Sequence, residues 1–415
     1  MSPTSVIVVS HRPGSWLRRC LESTLPQADQ IIVVDNGSPH EQASAEARRA
    51  GAICLRSERN LGFAGGINLG LTRATGDIVA WLNDDAEAGA NWISAATTVL
   101  EADPTVAAVT PKVVLHVPFA EVILDDDVWF APGDPRPLGR RLHSVTADGV
   151  EVIDAVVGAG VHDLEEGIED GEDRRWRWTA GRAPFYVPLA SHDAPGVVGV
   201  NGETVTVRTR CTLLNHAGNF LERHGIAGDY GFAAPDDGRF DAPAERFGLS
   251  GTAPVFRAEA LVRVGALATP FFAYNEDTDW CLRARLAGYT IAYDPGATVV
   301  HRLSATSGGA TNPRVRFLAR RNALLCLART APAPMAWRSL WRRLSAGPDD
   351  GVRRSVIRAL PWALASRVRM RGGWVLDPQA VWDRWAGADT TWDTAPARLE
   401  AVGDDGARGP KASGR

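Results

Sequence analysis

The sequence predicts an α/β fold: a mostly parallel sheet between helices, interrupted by an inserted β-rich module and followed by a C-terminal helical region. Three observations carry that prediction. Short apolar runs alternate with segments of helical spacing over residues 1–115, the pattern of parallel strands joined by crossover helices. The runs are apolar without a break, as strands covered on both faces are. Between residues 118 and 212 helical periodicity fades and Gly, Pro and Asp become frequent; from about Leu213 the α/β pattern returns.

Taken in order, Val6–Ser10 is a β-branched strand and Trp16–Leu25 has helical spacing. Ile31–Val34 is a strand ending at Asp35. Ser44–Ala50 is predicted helix, Ile53–Arg56 strand and Ile67–Ala74 helix. Ile78–Leu82 is a strand ending at Asn83-Asp84-Asp85, followed by the helix Trp92–Leu100 and the strand Val106–Thr110. In the insert, the runs Val150–Ile153, Phe185–Val187, Val197–Val200 and Val205–Val207 suggest a small sandwich. Ala253–Val264 is a strand then a helix, Trp280–Ala287 a helix, and Ala297–Val300 a strand. Arg-rich helical patterns fill 314–345 and 352–371. The Gly- and charge-rich segment Val402–Arg415 is expected to be disordered. The expected organisation is therefore 1–117 and 213–312 as two halves of one α/β domain, 118–212 as the insert, 313–400 as a basic helical region and 401–415 as a tail.

At 415 residues, 45% hydrophobic and 23% charged, the composition is that of an ordinary globular chain of two to three units. The net charge of -4 gives no sign of a nucleic-acid partner, and none is expected. Its distribution is uneven: about 15 Arg face 4 Asp between Thr311 and Trp385. An acidic body with a basic end suits a protein that touches an anionic surface. The cysteines Cys20, Cys54, Cys211, Cys281 and Cys326 are odd in number and form no C-x-x-C, which argues for reduced thiols and against structural zinc. Met1–Ser5 shows no signal-peptide pattern, and no run of about 18 apolar residues occurs, so a cytoplasmic location is expected.

Five clusters carry chemistry. In parallel sheets ligands bind beyond the carboxyl ends of the strands, where Asp35 and Asp85 are expected to share a crevice. Asn83-Asp84-Asp85 can hold a hard divalent cation that neutralises a departing diphosphate; the plain alternative is an N-cap. In Val33-Val34-Asp35-Asn36-Gly37-Ser38 the carboxylate can accept the imino N–H of a pyrimidine, or serve as the cap of a strand–turn–helix corner. Asn60-Leu61-Gly62-Phe63-Ala64-Gly65-Gly66-Ile67-Asn68 places glycines where backbone can approach a phosphate or ribose. A dinucleotide-binding turn is the runner-up for this stretch, but Ser10-His11-Arg12-Pro13-Gly14 follows the first strand in place of a G-x-G-x-x-G and the glycines follow the third, which argues against it. In Phe271-Phe272-Ala273-Tyr274-Asn275-Glu276-Asp277-Thr278-Asp279-Trp280, three crowded carboxylates beside aromatic residues can yield one of raised pKa, a base for a sugar hydroxyl; complementing a helix dipole is the plain alternative. His301 closes an apolar strand before Leu303–Gly309, expected to be a flexible loop, and could complete a metal site.

In this order the motifs VVDNGS, NLGFAGGINLG, LNDD, FFAYNEDTDWCLRARLAG and VVHRLSATSGG resemble the family 2 glycosyltransferases of the GT-A fold, over about residues 4–115 and 213–330. They look most similar to the bacterial rhamnosyltransferases and galactofuranosyltransferases of cell-wall and surface-polysaccharide assembly. The resemblance implies inverting transfer from a nucleotide-diphosphate sugar, with dTDP-rhamnose, a UDP-hexose or UDP-galactofuranose as donor. The implied acceptor is a hydroxyl of a glycan or a polyprenyl-pyrophosphate-linked glycan. It implies a divalent metal, Mn²⁺ or Mg²⁺, at Asp85 and His301. Asn83 stands where a full D-x-D has its first Asp. Asp277 would be the catalytic base, with Glu276 and Asp279 as alternatives. Ser10, Asp35, Asn60, Gly65, Asn68 and Asp84 would bind the donor. RWRWTAG at Arg175–Gly181 looks like accessory β-modules beside some bacterial glycosyltransferases. Trp337, Trp341, Leu344, Ile357, Leu360 and Trp362 are interleaved with arginines, so peripheral contact with the cytoplasmic face of the inner membrane is expected; a solvated helical cap is the alternative. Two other functions fit parts of the pattern. A sugar nucleotidyltransferase needs a basic Gly-rich loop after the first strand, where only Arg12 stands, and a non-catalytic carbohydrate-binding protein has no use for Asp85, Asp277 and His301.

Overall fold

The computed structural model describes residues 2–169, 172–222, 225, 227–302, 312–346 and 351–387. The loop expected at 303–309 and the tail 401–415 lie outside the described residues. The chain divides into two compact units: one holds residues 2–116, 214–232 and 236–387, the other 117–213 and 233–235.

The first unit begins with β1 (Thr4–Ser10), α1 (Trp16–Thr24), β2 (Gln30–Asn36), α2 (Gln42–Arg49), β3 (Ile53–Ser57), α3 (Gly62–Leu71), β4 (Ile78–Asn83), β5 (Ala86–Ala88), α4 (Trp92–Ala102) and β6 (Val106–Leu115). It resumes with β7 (Leu214–His216), β8 (Ala244–Glu245), β9 (Val255–Arg257), α5 (Ala258–Val264), α6 (Glu276–Leu286) and β10 (Thr290–His301), and continues into α7 (Pro313–Thr330), α8 (Ala333–Ala346), α9 (Val352–Met370) and α10 (Pro378–Trp385). One sheet runs in the order β8-β10-β6-β9-β4-β1-β2-β3, with β7 on β6 and β5 on β10. The β1–β2, β1–β4, β2–β3 and β6–β10 pairings are parallel, and β9 lies antiparallel between β4 and β6. This is the mostly parallel α/β sheet expected of a GT-A fold.

Alternation along the strands explains the two cores. Val6, Val8, Val33, Ala80 and Leu82 pack with Leu17, Ala43 and Trp92 of α1, α2 and α4. Ile7, Ile32, Val34, Val79 and Trp81 face the other way, with Ile67, Ala260 and Trp280 of α3, α5 and α6. Successive strand side chains point to opposite faces, so an unbroken apolar run serves both. The second core extends through Leu324, Leu325, Leu327, Leu340, Val356 and Ala363, so α7–α9 belong to it.

Two helix starts differ from expectation. α3 begins at Gly62 rather than Ile67, because its glycines pack against the sheet. A side chain at Gly66 would strike Val9 Cγ1 at 2.5 Å, so close packing outweighs the poor helix propensity of glycine. α6 begins at Glu276 rather than Trp280, which puts Glu276, Asp277 and Asp279 in its first turn, where negative charge opposes the helix dipole favourably.

In the second unit, short antiparallel strands form three sheets, including Val145–Ala147 with Val198–Val200 and Phe119–Val122 with Phe185–Pro188. They enclose a core of Val122, Leu142, Val145, Phe185, Val187 and Val198.

Candidate active site

The strand ends build the site. β1 and β4 run in register with Val9 opposite Asn83, so Ser10 reaches the acidic triplet and its hydroxyl donates to Asp84 Oδ2 at 2.5 Å. Burial pushes Asp84 up to about 7, opposed by the Ser10 hydrogen bond and assisted by the neighbouring Asp85 charge. β10 pairs antiparallel with β5, setting His301 opposite Ala86. Asp85 and His301, far apart in sequence and both buried, thereby meet with Oδ1 and Nε2 3.1 Å apart. The far ring nitrogen of His301 lies 2.7 Å from Asn215 Oδ1, on β7. A carboxylate or carbonyl partner on one imidazole nitrogen orients the other toward a metal.

Those two side chains fit a divalent cation. Ligand bonds of about 2.1 Å at a right angle set two donor atoms about 3 Å apart, the separation seen here. Among the described residues no group of three or more His, Cys, Asp or Glu side chains forms a protein cage. Mg²⁺-type sites commonly use one or two carboxylates and take their remaining ligands from water and substrate phosphates.

The acidic turn of α6 is tied to the end of β4 through residues 250–254. Asn83 N–H donates to Thr252 O at 2.9 Å, and the Trp81 indole donates to Gly251 O at 3.1 Å. Gly251 N–H then donates to Asp277 Oδ2 at 3.1 Å, and Thr278 N–H to Oδ1 at 2.7 Å. A side chain at Gly251 would fall 3.3 Å from Phe63 and 3.6 Å from Asp277 Oδ2, so glycine leaves the space over this carboxylate open.

The three carboxylates separate by surroundings. Asp279 is fully buried between Arg283 Nε at 2.8 Å and Arg329 Nε at 2.6 Å. Both its oxygens are held by guanidinium groups, which removes it as an alternative base: it ties α6 to α7. Glu276 is buried with Oε2 lacking a partner among the described residues. Burial, and then the charge of Asp277, raise it well above the carboxylate range. Burial also raises Asp277, against the hydrogen bonds from Thr278 and Gly251. Asp277 has two backbone donors on its oxygens while Glu276 Oε2 has no partner among the described residues, so burial favours the neutral acid more at Glu276 than at Asp277. Glu276→Gln, which mimics the protonated acid, is therefore expected to keep turnover within roughly tenfold of wild type. Because the folded-state pKa of Glu276 is raised, its contribution to stability is present below the unfolded value and lost as pH rises through the folded one. The variant should thus gain stability over wild type at pH 8 and none at pH 4, read by denaturant unfolding. Equal differences at both pH values would place the proton elsewhere.

The expected donor residues are arranged otherwise than their motifs suggest. Asp35 does not open into the crevice: its carboxylate is fully buried and accepts from Ser38 N–H at 2.8 Å, from Ser44 N–H and hydroxyl, and from Arg56 at 2.8 Å. Asn68 clamps the backbone of Leu267 from both ends of its amide, at 2.8 and 3.1 Å. Asn60 is exposed and accepts from Gly62 N–H at 2.8 Å. The glycine run serves packing at Gly62 and Gly66; Gly65 stays half-buried. A Cβ at Gly62, whose φ is +76°, would lie 2.3 Å from Phe272 O, and Ala64 N–H donates to that oxygen. The α3 N-terminus thus captures a protein carbonyl.

Sequence reasoning missed Asn322. Phe272, Tyr274 and Asn275 take positive φ of 67°, 71° and 64°, a conformation costing of order 1–3 kcal/mol each. Asn322 of α7, fully buried, donates to Phe271 O, Ala273 O and Tyr274 O at 2.8–2.9 Å. It holds the strained turn that aims Asp277. Its trace in the sequence is a lone amide before the apolar run Ala323–Leu327, a place where asparagine is a poor helix former.

Residues 5–117 match the family model described as Glycosyl transferase family 2. The match holds Ser10, Asp35, Asn60, Gly65, Asn68, Asp84 and Asp85; Asp277 and His301 lie outside it. Over 103 residues the chain is 35% identical to polypeptide N-acetylgalactosaminyltransferase 15 of Mus musculus, covering 22% of this chain and 16% of that protein. Over 87 residues it is 33% identical to a TPR repeat-containing protein of Synechococcus elongatus, covering 21% of each. The chain thus spans about a fifth of the length of these curated relatives. Among solved structures it is similar to GalNAc-T7 with UDP, GalNAc and Mn²⁺, at TM-score 0.49 and 12% identity, covering 89% of this chain and 57% of that one. It is also similar to a mannosyltransferase of Pyrobaculum calidifontis in complex with GDP-Man and Mn²⁺, at TM-score 0.41 and 15% identity, covering 92% and 79%.

Proposed function

We propose, from the match of residues 5–117 to the Glycosyl transferase family 2 model, that the chain is an inverting glycosyltransferase using a nucleotide-diphosphate sugar. The observation that carries the reading is that the Asp85–His301 pair lies beyond the end of β4 and Asp277 is tied to that end through Gly251 and Thr252. Asp277 accepts the proton of an acceptor hydroxyl as that oxygen attacks the anomeric carbon and the carbon–diphosphate bond breaks. Asp85 and His301 would hold a divalent cation, Mn²⁺ or Mg²⁺, which would neutralise charge on the departing diphosphate. Ser10 and Asp84 line the donor side. Asp35 meets a base only if Arg56 gives way, so we assign it first to shaping the 35–38 corner. Residues 1–117 bind the donor, 213–312 the acceptor and the reacting atoms, 118–212 form an accessory module, and 313–400 a basic region. The donor class we favour is dTDP-rhamnose or a UDP-hexose, including UDP-galactofuranose. The acceptor is a glycan or lipid-linked glycan of the cell envelope, reached by peripheral attachment to the cytoplasmic face of the membrane.

The test is turnover by the purified full chain against a panel of nucleotide sugars. Release of nucleoside diphosphate only with Mn²⁺ or Mg²⁺ is expected, and the productive donor should raise thermal stability by mass action. Release of pyrophosphate from a nucleoside triphosphate and a sugar phosphate would instead make it a nucleotidyltransferase. Sugar binding without turnover would make it a binding protein.

A further inference from the structure

Two C-terminal helices present solvent faces that glycosyl transfer does not use. α8 packs Ala336 and Leu340 inward and turns out Trp337 and Trp341, each 66% exposed, beside the exposed Arg338. α9 packs Val352, Val356 and Ala363 inward; Ile357, Leu364 and Val368, 53%, 45% and 74% exposed, lie at helical spacing on its outer face. Exposed Arg353, Arg358 and Arg369 flank that stripe. Residues 312–346 and 351–371 contain fourteen arginines and no Asp or Glu.

The charge identifies the occupant. Large exposed apolar side chains in a row mark a contact surface. A second copy of these helices would bring arginine against arginine, with no carboxylate on either to pair with them. A bilayer of anionic lipid offers phosphates to the arginines and an acyl boundary to the tryptophans and the α9 stripe. No helix among the described residues is long and apolar enough to cross a membrane, so these helices would lie in the interface.

We infer that the outer faces of α8 and α9 dock the protein on an anionic lipid surface. This rests on the proposed membrane attachment and assigns it to named residues. The experiment is co-sedimentation of the full chain with vesicles of phosphatidylcholine alone or mixed with phosphatidylglycerol. Binding is expected only with phosphatidylglycerol and should be lost in about 1 M salt, where the screening length falls to about 3 Å. Leu364→Glu with Val368→Glu, and separately Trp337→Ala with Trp341→Ala, should each weaken binding roughly tenfold or more, since the substitutions are on the surface and remove the inserted apolar area. Failure of wild type to sediment with anionic vesicles, or unchanged binding by both variants, overturns the assignment. So does a concentration-dependent dimer of wild type that these variants abolish. Nucleoside diphosphate release with a water-soluble acceptor should be the same in wild type and the Leu364→Glu, Val368→Glu variant. Its absence from both, with wild type binding anionic vesicles and the variant not, would refute glycosyl transfer while leaving the docking surface standing.

Discussion

Asp85→Ala is expected to abolish measurable transfer, a loss of roughly 10³-fold or more, while the protein stays folded. The side chain stands beyond the end of β4, and its contact in the site is His301 Nε2 at 3.1 Å. Truncation removes one of two protein donors from the proposed cation site and leaves His301 Nε2 without its carboxylate neighbour, while Nδ1 keeps Asn215. Stabilising the departing charge is the main way such a site accelerates transfer, and losing one preorganised group commonly costs roughly 10²–10³ in rate. Fold retention is checked by circular dichroism and metal binding by calorimetry with Mn²⁺ alone, so that metal loss is read apart from turnover. Wild-type activity should vanish in a chelator and return with Mn²⁺ or Mg²⁺. Full activity in chelator would sink the metal assignment, whatever the variant does.

Asp277→Asn should lower turnover by roughly 10²–10⁴-fold, the usual contribution of a general base, with donor affinity little changed. The amide is nearly isosteric and its oxygen can still accept from Thr278 N–H, while the Gly251 N–H that donates to Oδ2 loses its acceptor; the turn is held separately by Asn322 and should survive. What it cannot do is take a proton. Donor binding by calorimetry and single-turnover rates on the bound complex separate the two effects. Weakened donor binding with an unchanged rate per bound complex would move Asp277 into donor recognition and return Glu276 to candidacy. Asp279 is not restored by that outcome, since its oxygens are held by Arg283 and Arg329.

Much of the fold could be read from local pattern. Strand–helix alternation over residues 1–115 follows from short unbroken apolar runs alternating with segments of helical spacing, and each predicted strand there lies within or overlaps an observed one. The helix starts at Gly62 and Glu276 were not legible. Glycine is a poor helix signal unless one knows that β1 lies beneath it, and the three acids, though favourable at a helix start, fit a catalytic cluster equally well. The acidic triplet, the crowded carboxylates and His301 were recognisable as types because their chemistry is unusual at strand ends and helix starts.

The sequence by itself determined which elements form and which residue types stand at their ends, since propensity and periodicity act over a few neighbouring positions. Only the tertiary structure decided what those ends face. Asp35 and Asp85 follow similar apolar strands, yet one is enclosed by Ser38, Ser44 and Arg56 and the other meets His301, because β10 runs beside β5 while β2 is flanked by the arginine of β3. Glu276, Asp277 and Asp279 share one helical turn, yet one lacks a partner for an oxygen, one lies under the open space at Gly251, and one is held between two arginines. The physical reason is that burial and partner geometry set a carboxylate's charge and reach. Both come from segments distant in sequence, through the strand pairings of the sheet and the packing of α7 on α6.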